Sequence, residues 1–226
     1  MKSLLARYLA RARAMRFHYL LASLILLLAV YPYVNAGASG PAALKVLSSF
    51  VLITGVYAVS NRRRQVVVAA LLAVPAFGLG WLHVITGNPA LGTAEIVFTL
   101  LFYAFTALIG LLQVLGERRI TTDTIYGAVS VYLLMGLTWA NAYALVESVN
   151  PGSFSAESGD GAFIFPTFIY FSFVTLATLG YGDITPVTDQ ARSLAVLETV
   201  SGTLYIAVLI ARLVAAAGWM PKTGDE

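Results

Sequence analysis

One stretch of this 226-residue sequence can meet a ligand with main chain alone: Thr175-Leu176-Ala177-Thr178-Leu179-Gly180-Tyr181-Gly182-Asp183. Two glycines flank one tyrosine, and an acid follows directly. A helix does not run comfortably through Gly-Tyr-Gly, whereas glycine admits left-handed dihedrals and lets a backbone approach a ligand closely. Consecutive carbonyl oxygens can then all point one way, as an array of acceptors. Glu198 is the second chemically loaded position, a carboxylate inside an apolar run one turn before Gly202. An acid in a membrane segment is costly and functional by default. It sits either behind the irregular stretch or only as a partner for polar groups such as Ser201 or Thr175. Other chemistries are poorly supplied. There is no cysteine, hence no disulfide, thiolate metal site or cysteine nucleophile, and the only histidines are His18 and His83. No nucleophile–base–metal set can be assembled, so an enzyme is not expected.

The elements that must carry these residues are membrane helices. Hydrophobic residues make up 59% of the chain and charged residues 11%, and mean hydropathy is +0.82. Soluble domains run at about 45–50% apolar and about 25% charged, so an ordinary soluble enzyme is excluded, as is intrinsic disorder. The net charge of +3 gives no case for nucleic acid. Six segments are long and apolar enough to cross a bilayer: 19–36, 43–60, 66–86, 93–116, 124–146 and 191–217. A seventh, 163–177, is too short to cross and reads as re-entrant or buried. The fold class is therefore an all-α membrane protein with six transmembrane helices and one re-entrant helix. Irregular backbone at that depth is tolerated only where it is buried in protein or lines a watery path.

Basic residues set the orientation. Lys2, Arg7, Arg11, Arg13 and Arg16 precede the first span, Arg62, Arg63 and Arg64 follow the second, Arg118 and Arg119 follow the fourth, and Lys222 lies in the tail. The opposite side has Lys45 and Arg192. Both termini are expected in the cytoplasm, in a plasma (inner) membrane. Val34-Asn35-Ala36 has the form of a signal cleavage site, but the apolar run before it exceeds a usual signal core. Segment 1–18 reads as a basic interfacial helix on anionic lipid, or as a disordered basic tail. Lys45 and Glu95 fall at one depth and are expected to pair. Residues 147–161 read as a polar outside loop, either drawing cations with its acids or, preferably, simply solvated.

The segment Thr178-Leu179-Gly180-Tyr181-Gly182-Asp183 closely resembles the selectivity filter of potassium channels, whose usual form has Val or Ile where Leu179 stands. The resemblance covers about 122–218, and the first four spans match only in number. It implies that the carbonyls of Thr178, Leu179, Gly180 and Tyr181, with the Thr178 hydroxyl, replace the water shell of a potassium ion, and that Gly182 belongs to the same ion-binding strand. One filter per chain implies a homotetramer, so that three identical subunits and membrane lipids are the partners and K+ is the permeant ion, with no cofactor. Segment 163–177 becomes the pore helix, starting near Pro166, with its negative end toward the cavity. Tyr170, Phe171, Thr175 and Glu198 are implied as filter support, and Asp183 as the outer mouth. Val174 stands where some members hold a carboxylate. Leu179 is expected to face the pore helix and bears on filter stability. Gly202 is either an inner-helix hinge or a close-packing position. Thr203, Ile206, Ile210 and Val214 are assigned to the cavity and gate lining, with a packing stripe as the competing view.

The expected division is 1–18, an interfacial segment; 19–121, a four-helix domain; 122–218, the pore domain; and 219–226, a cytoplasmic tail. A voltage-sensing helix needs arginines at every third position. The fourth span has Glu95 near its outer end and no Lys or Arg before Arg118, so voltage dependence is expected to be weak or absent. The link 117–123 is too short for a long coupling helix, and the end of the chain leaves no room for a regulatory domain of about 50 residues. The rivals are a weakly selective cation channel of the same fold, a secondary transporter, which would show paired repeats with broken helices, and a non-conducting accessory subunit, which would show a degenerate filter.

Overall fold

The computed structural model describes residues 15–34, 40–117, 120–156 and 165–218, with side chains as far as 212. The expectations for 1–14, the Asn35-Ala36 part of the cleavage-like sequence, Arg118, Arg119 and the tail from 219 lie outside the described residues, as does the Val214 side chain. The elements run α1 Arg16–Val34, α2 Gly40–Ala58, α3 Arg63–Thr86, α4 Pro89–Gly116, α5 Thr122–Val149, β1 Phe154–Ala156, α6 Phe165–Leu176, β2 Ile184–Pro186 and α7 Asp189–Gly218. Six of the helices are long and apolar enough to cross a membrane, and α6 is the shorter apolar helix. The chain is an all-α membrane protein.

α4 and α5 begin ahead of their apolar runs, each with a side-chain cap. Thr121 and Thr124 exchange side-chain-to-backbone bonds at the start of α5, pairing N–H groups that a helix start leaves bare. The α3–α4 hairpin turns on three residues. Gly87, at φ +67°, returns its N–H to the His83 carbonyl at 2.8 Å. The Asn88 side chain accepts from the Ala90 N–H at 3.0 Å, and Pro89 opens α4 where no N–H is needed.

α1 packs on α2 and α5, α2 on α3 and α4, α3 on α4, and α4 runs along α5. The expected Lys45–Glu95 ion pair forms between α2 and α4. The far side of α5 receives α6 and α7. Half of the α5 span is buried inside the chain but only 17% of the α7 span, so α7 presents most of its apolar surface outward.

Within the connection after α5, the described residues 150–156 are more ordered than a solvated loop. β1 pairs antiparallel with β2, Phe154 opposite Pro186 and Ala156 opposite Ile184. The cause is Phe154, buried against the rings of Tyr143, Phe168 and Phe171 at 5.5, 5.2 and 5.4 Å. Glu147 shapes the preceding turn by accepting from the N–H groups of Gly152 and Ser153 at 2.8 and 2.9 Å.

Candidate functional site

α6 sets the site, and two close approaches set α6. The Phe173 ring lies on Gly136 of α5, where an added Cβ would come within 2.6 Å of it. The Leu176 carbonyl oxygen meets Gly202 of α7, where an added Cβ would be 2.7 Å away. Because α7 runs unbroken through Gly202, close packing is the role that has a contact here.

After Leu176 the chain folds back under its own helix. An α-helix leaves its last carbonyls unpaired. Here the following N–H groups take them: Ala177 N–H to Phe173 O at 3.0 Å, Thr178 N–H to Thr175 O at 2.9 Å, and both Leu179 and Gly180 N–H to Val174 O at 2.9 and 3.4 Å. Thr178, Gly180 and Gly182 have φ of +60°, +55° and +84°, while Leu179 and Tyr181 between them have negative φ. Alternating handedness turns like groups of successive peptides to one side. The N–H groups of 178–180 are thereby held on the α6 side. Thr178 is the only non-glycine at positive φ among the described residues. That conformation costs about 1–2 kcal/mol, and such strain collects at functional sites.

All of 178–182 is exposed in the single chain, Leu179 at 57% and Tyr181 at 67%. Leu179 borders a shallow pocket with Ile169, Tyr170, Phe173 and Val174 of α6, so its side chain lies on the helix side of the strand.

The expected support residues do different jobs. The Tyr170 hydroxyl donates to Asp183 Oδ2 at 2.7 Å, tying the residue after the strand back to α6. That bond above all pushes the phenol up to about 12. Phe171 turns the other way, edge-on to Tyr143 at 4.9 Å. Thr175 contributes its carbonyl, with no side-chain hydrogen bond among the described residues. Glu198 has 0% exposure and lies behind α6. Its carboxyl oxygens contact the Ser172 hydroxyl at 2.5 Å and the Tyr143 hydroxyl. Neither sequence-suggested partner reaches the carboxylate: Ser201 donates to the Glu198 main-chain oxygen at 2.9 Å, and Thr175 bonds elsewhere. Ser172 Oγ also lies 2.7 Å from the Gly136 carbonyl. One hydroxyl proton faces two acceptors, so a proton on the Glu198 carboxyl completes the set.

Thr203, Ile206 and Ile210 are exposed on α7. Sequence reasoning missed Ser172, Tyr143 and Gly136, for which no local spacing gives a signal. It also missed Arg212, whose guanidinium donates to the Glu117 carbonyl and ties the C-terminal part of α7 to the α4–α5 connection. A lone base in an apolar run was the available signal.

A short apolar helix continued by an exposed strand and set between two spanning helices suits a membrane channel. Residues 120–217 match the family described as ion channel, and the chain belongs to it. Protein LctB of Bacillus caldotenax is 30% identical over 106 residues, 45% of this chain and 78% of LctB. The inward rectifier potassium channel Kirbac3.1 of Paramagnetospirillum magnetotacticum is 35% identical over 98 residues, 42% of this chain and 29% of that protein. The voltage-gated potassium channel Kch of Escherichia coli is 32% identical over 111 residues, 49% of this chain and 23% of Kch. The matched stretch thus spans most of LctB and under a third of the two larger channels. No solved structure matches.

Proposed function

We propose that this protein is a potassium-selective channel that conducts K+ passively down its gradient. The observation that carries the reading is the strand 178–182, with alternating φ signs and the N–H groups of 178–180 spent on the end of α6. Four chains meet on one axis, so that rings of carbonyls from Thr178, Leu179, Gly180 and Tyr181, with the Thr178 hydroxyl, replace the ion's water shell. Gly182 turns the strand out to Asp183 at the mouth. Tyr170, Phe171, Thr175 and Glu198 support it, and Thr203, Ile206 and Ile210 line the cavity below. The exposed Leu179 and Tyr181 and the sparsely buried α7 favour assembly with identical subunits. Relatives named as potassium channels, Kirbac3.1 and Kch among them, favour K+ as the permeant ion.

The chain lies in a plasma (inner) membrane with both termini cytoplasmic, which puts Asp183 and the β ribbon outside. The pore unit is 122–218 and needs no cofactor. The four-helix unit 19–121 is not a strong voltage sensor. The test is purified protein in K+-loaded vesicles, with efflux compared for K+ and Na+. The expected result is K+ flux well above Na+ flux. Equal fluxes reassign the protein as a weakly selective cation channel, and no flux with either ion from confirmed tetramers defeats the channel reading.

A further inference from the structure

Between α2–α4 and α5–α6 lies a cavity of about 490 Å³, within the size range of small-molecule sites. Three of its wall residues are polar and buried: Thr99 at 7% exposure, Tyr103 at 2% and Asn141 at 2%. The Asn141 amide nitrogen donates to the Leu137 carbonyl at 2.7 Å. Its amide oxygen and the hydroxyls of Thr99 and Tyr103 find no hydrogen-bond partner among the described residues. None of the three is among the fully enclosed unpaired atoms, and all three residues line the cavity. Buried polar groups are nearly always paired, and each one left bare costs about 1–3 kcal/mol. Three in one wall call for an occupant that both accepts and donates.

Charge selects the kind of occupant. Lys45 and Glu95 also line the cavity but are bonded to each other. A charged ligand would have to break that pair or enter without a counter-charge, and a neutral one does neither. Leu44, Val84 and Ile96 make other parts of the wall apolar. Phe165 and Pro166, the first residues of α6, are also in the wall. The filter strand follows the opposite end of this 12-residue helix, roughly 18 Å away at about 1.5 Å per residue.

We propose that this cavity binds a small uncharged organic molecule with an apolar body and an amide-like polar group, and that its occupant acts on the filter through α6. The site does not depend on which ion passes.

Equilibrium binding of benzanilide to the full chain in lipid nanodiscs, against trans-stilbene of the same shape without polar atoms, tests the site. Benzanilide is expected to saturate, whereas stilbene partitions as it does into empty nanodiscs. Tyr103→Phe and Thr99→Val each remove one hydroxyl at nearly constant volume and should weaken benzanilide about tenfold. Equal, unsaturable uptake of both probes, or unchanged affinity in both variants, overturns the site and leaves the cavity to water. Saturating benzanilide should change wild-type K+ flux at least twofold, and the same concentration should have a reduced effect on Tyr103→Phe. Unchanged flux at full occupancy overturns the link to the filter. A protein that conducts neither ion sinks the channel reading, and binding still decides the site.

Discussion

Each carboxyl oxygen of the fully buried Glu198 meets one hydroxyl, Ser172 on α6 and Tyr143 on α5. Glu198→Ala strands the Tyr143 hydroxyl, at about 1–3 kcal/mol, leaves Ser172 with the Gly136 carbonyl alone, and opens a void behind α6. Glu198→Gln keeps the shape. Its amide oxygen accepts from Tyr143 and its N–H donates to Ser172, as a protonated carboxyl does. Thermal unfolding of the purified protein should show a large loss for Ala and a change within about 1 kcal/mol for Gln. Equal damage from the two substitutions would mean that the ionised carboxylate is required. Outside the filter, Tyr170→Phe removes the bond to Asp183 and leaves the ring. The fold should persist while K+ flux decays faster from its initial value, and an unchanged time course would sink the tether. The Tyr170 phenol is raised to about 12 from its ordinary 10, and a group that loses its proton less readily when folded contributes most while protonated. The tether's contribution is therefore full below about pH 10 and is lost as pH rises through about 12, so flux decay in the wild type should not vary with the Tyr170 proton between pH 6 and 9.

Gly202 is a close approach of α7 to α6, and it separates two accounts of α7. An added Cβ meets the Leu176 carbonyl oxygen at 2.7 Å, a backbone atom that cannot step aside as a flexible side chain would. Gly202→Ala should destabilise by about 1–3 kcal/mol through overpacking and displace the end of α6, lowering K+ flux. Alanine is the better helix former. A pure hinge therefore predicts the opposite for stability, and an unchanged or raised unfolding temperature would defeat the packing account. The same contrast explains what was legible in the sequence. The six spans were readable because each is a contiguous run matched to bilayer thickness, and the strand 178–182 because its signal is the six adjacent residues Thr178 to Asp183. The Lys45–Glu95 pair was readable because two charges in apolar spans at one depth have few other partners. The Ser172–Glu198 and Tyr143–Glu198 contacts join residues 26 and 55 apart with no shared period. The β ribbon has three residues per strand, and the aromatic cluster that holds it comes from α5 and α6.

At the scale of the whole molecule, the placement of charge decides how the channel responds to voltage. Moving one elementary charge through 100 mV yields about 2.3 kcal/mol, and steep gating needs three or four such charges per subunit. α4 contains no Lys or Arg from Pro89 to Gly116. Within the four-helix unit, Lys45 and Glu95 are bonded to each other, so a motion that carries both moves no net charge. The connection after α4 enters α5 directly at the Thr121 cap, and α4 lies along α5 of its own chain. Arg212 fastens the C-terminal part of α7 to that same connection at Glu117. A displacement of α4 would thus be passed to α5 and α7, but the one charged side chain on α4, Glu95, is paired with Lys45 of α2, so the membrane field has no unpaired charge on α4 with which to produce it. Tail currents over a wide voltage range should show open probability that is nearly flat. Glu95→Gln should leave the curve flat, because it frees only the single Lys45 charge near the outer end of α2. Activation steep enough to need several charges per subunit would overturn this account and require a charged segment outside the described helices.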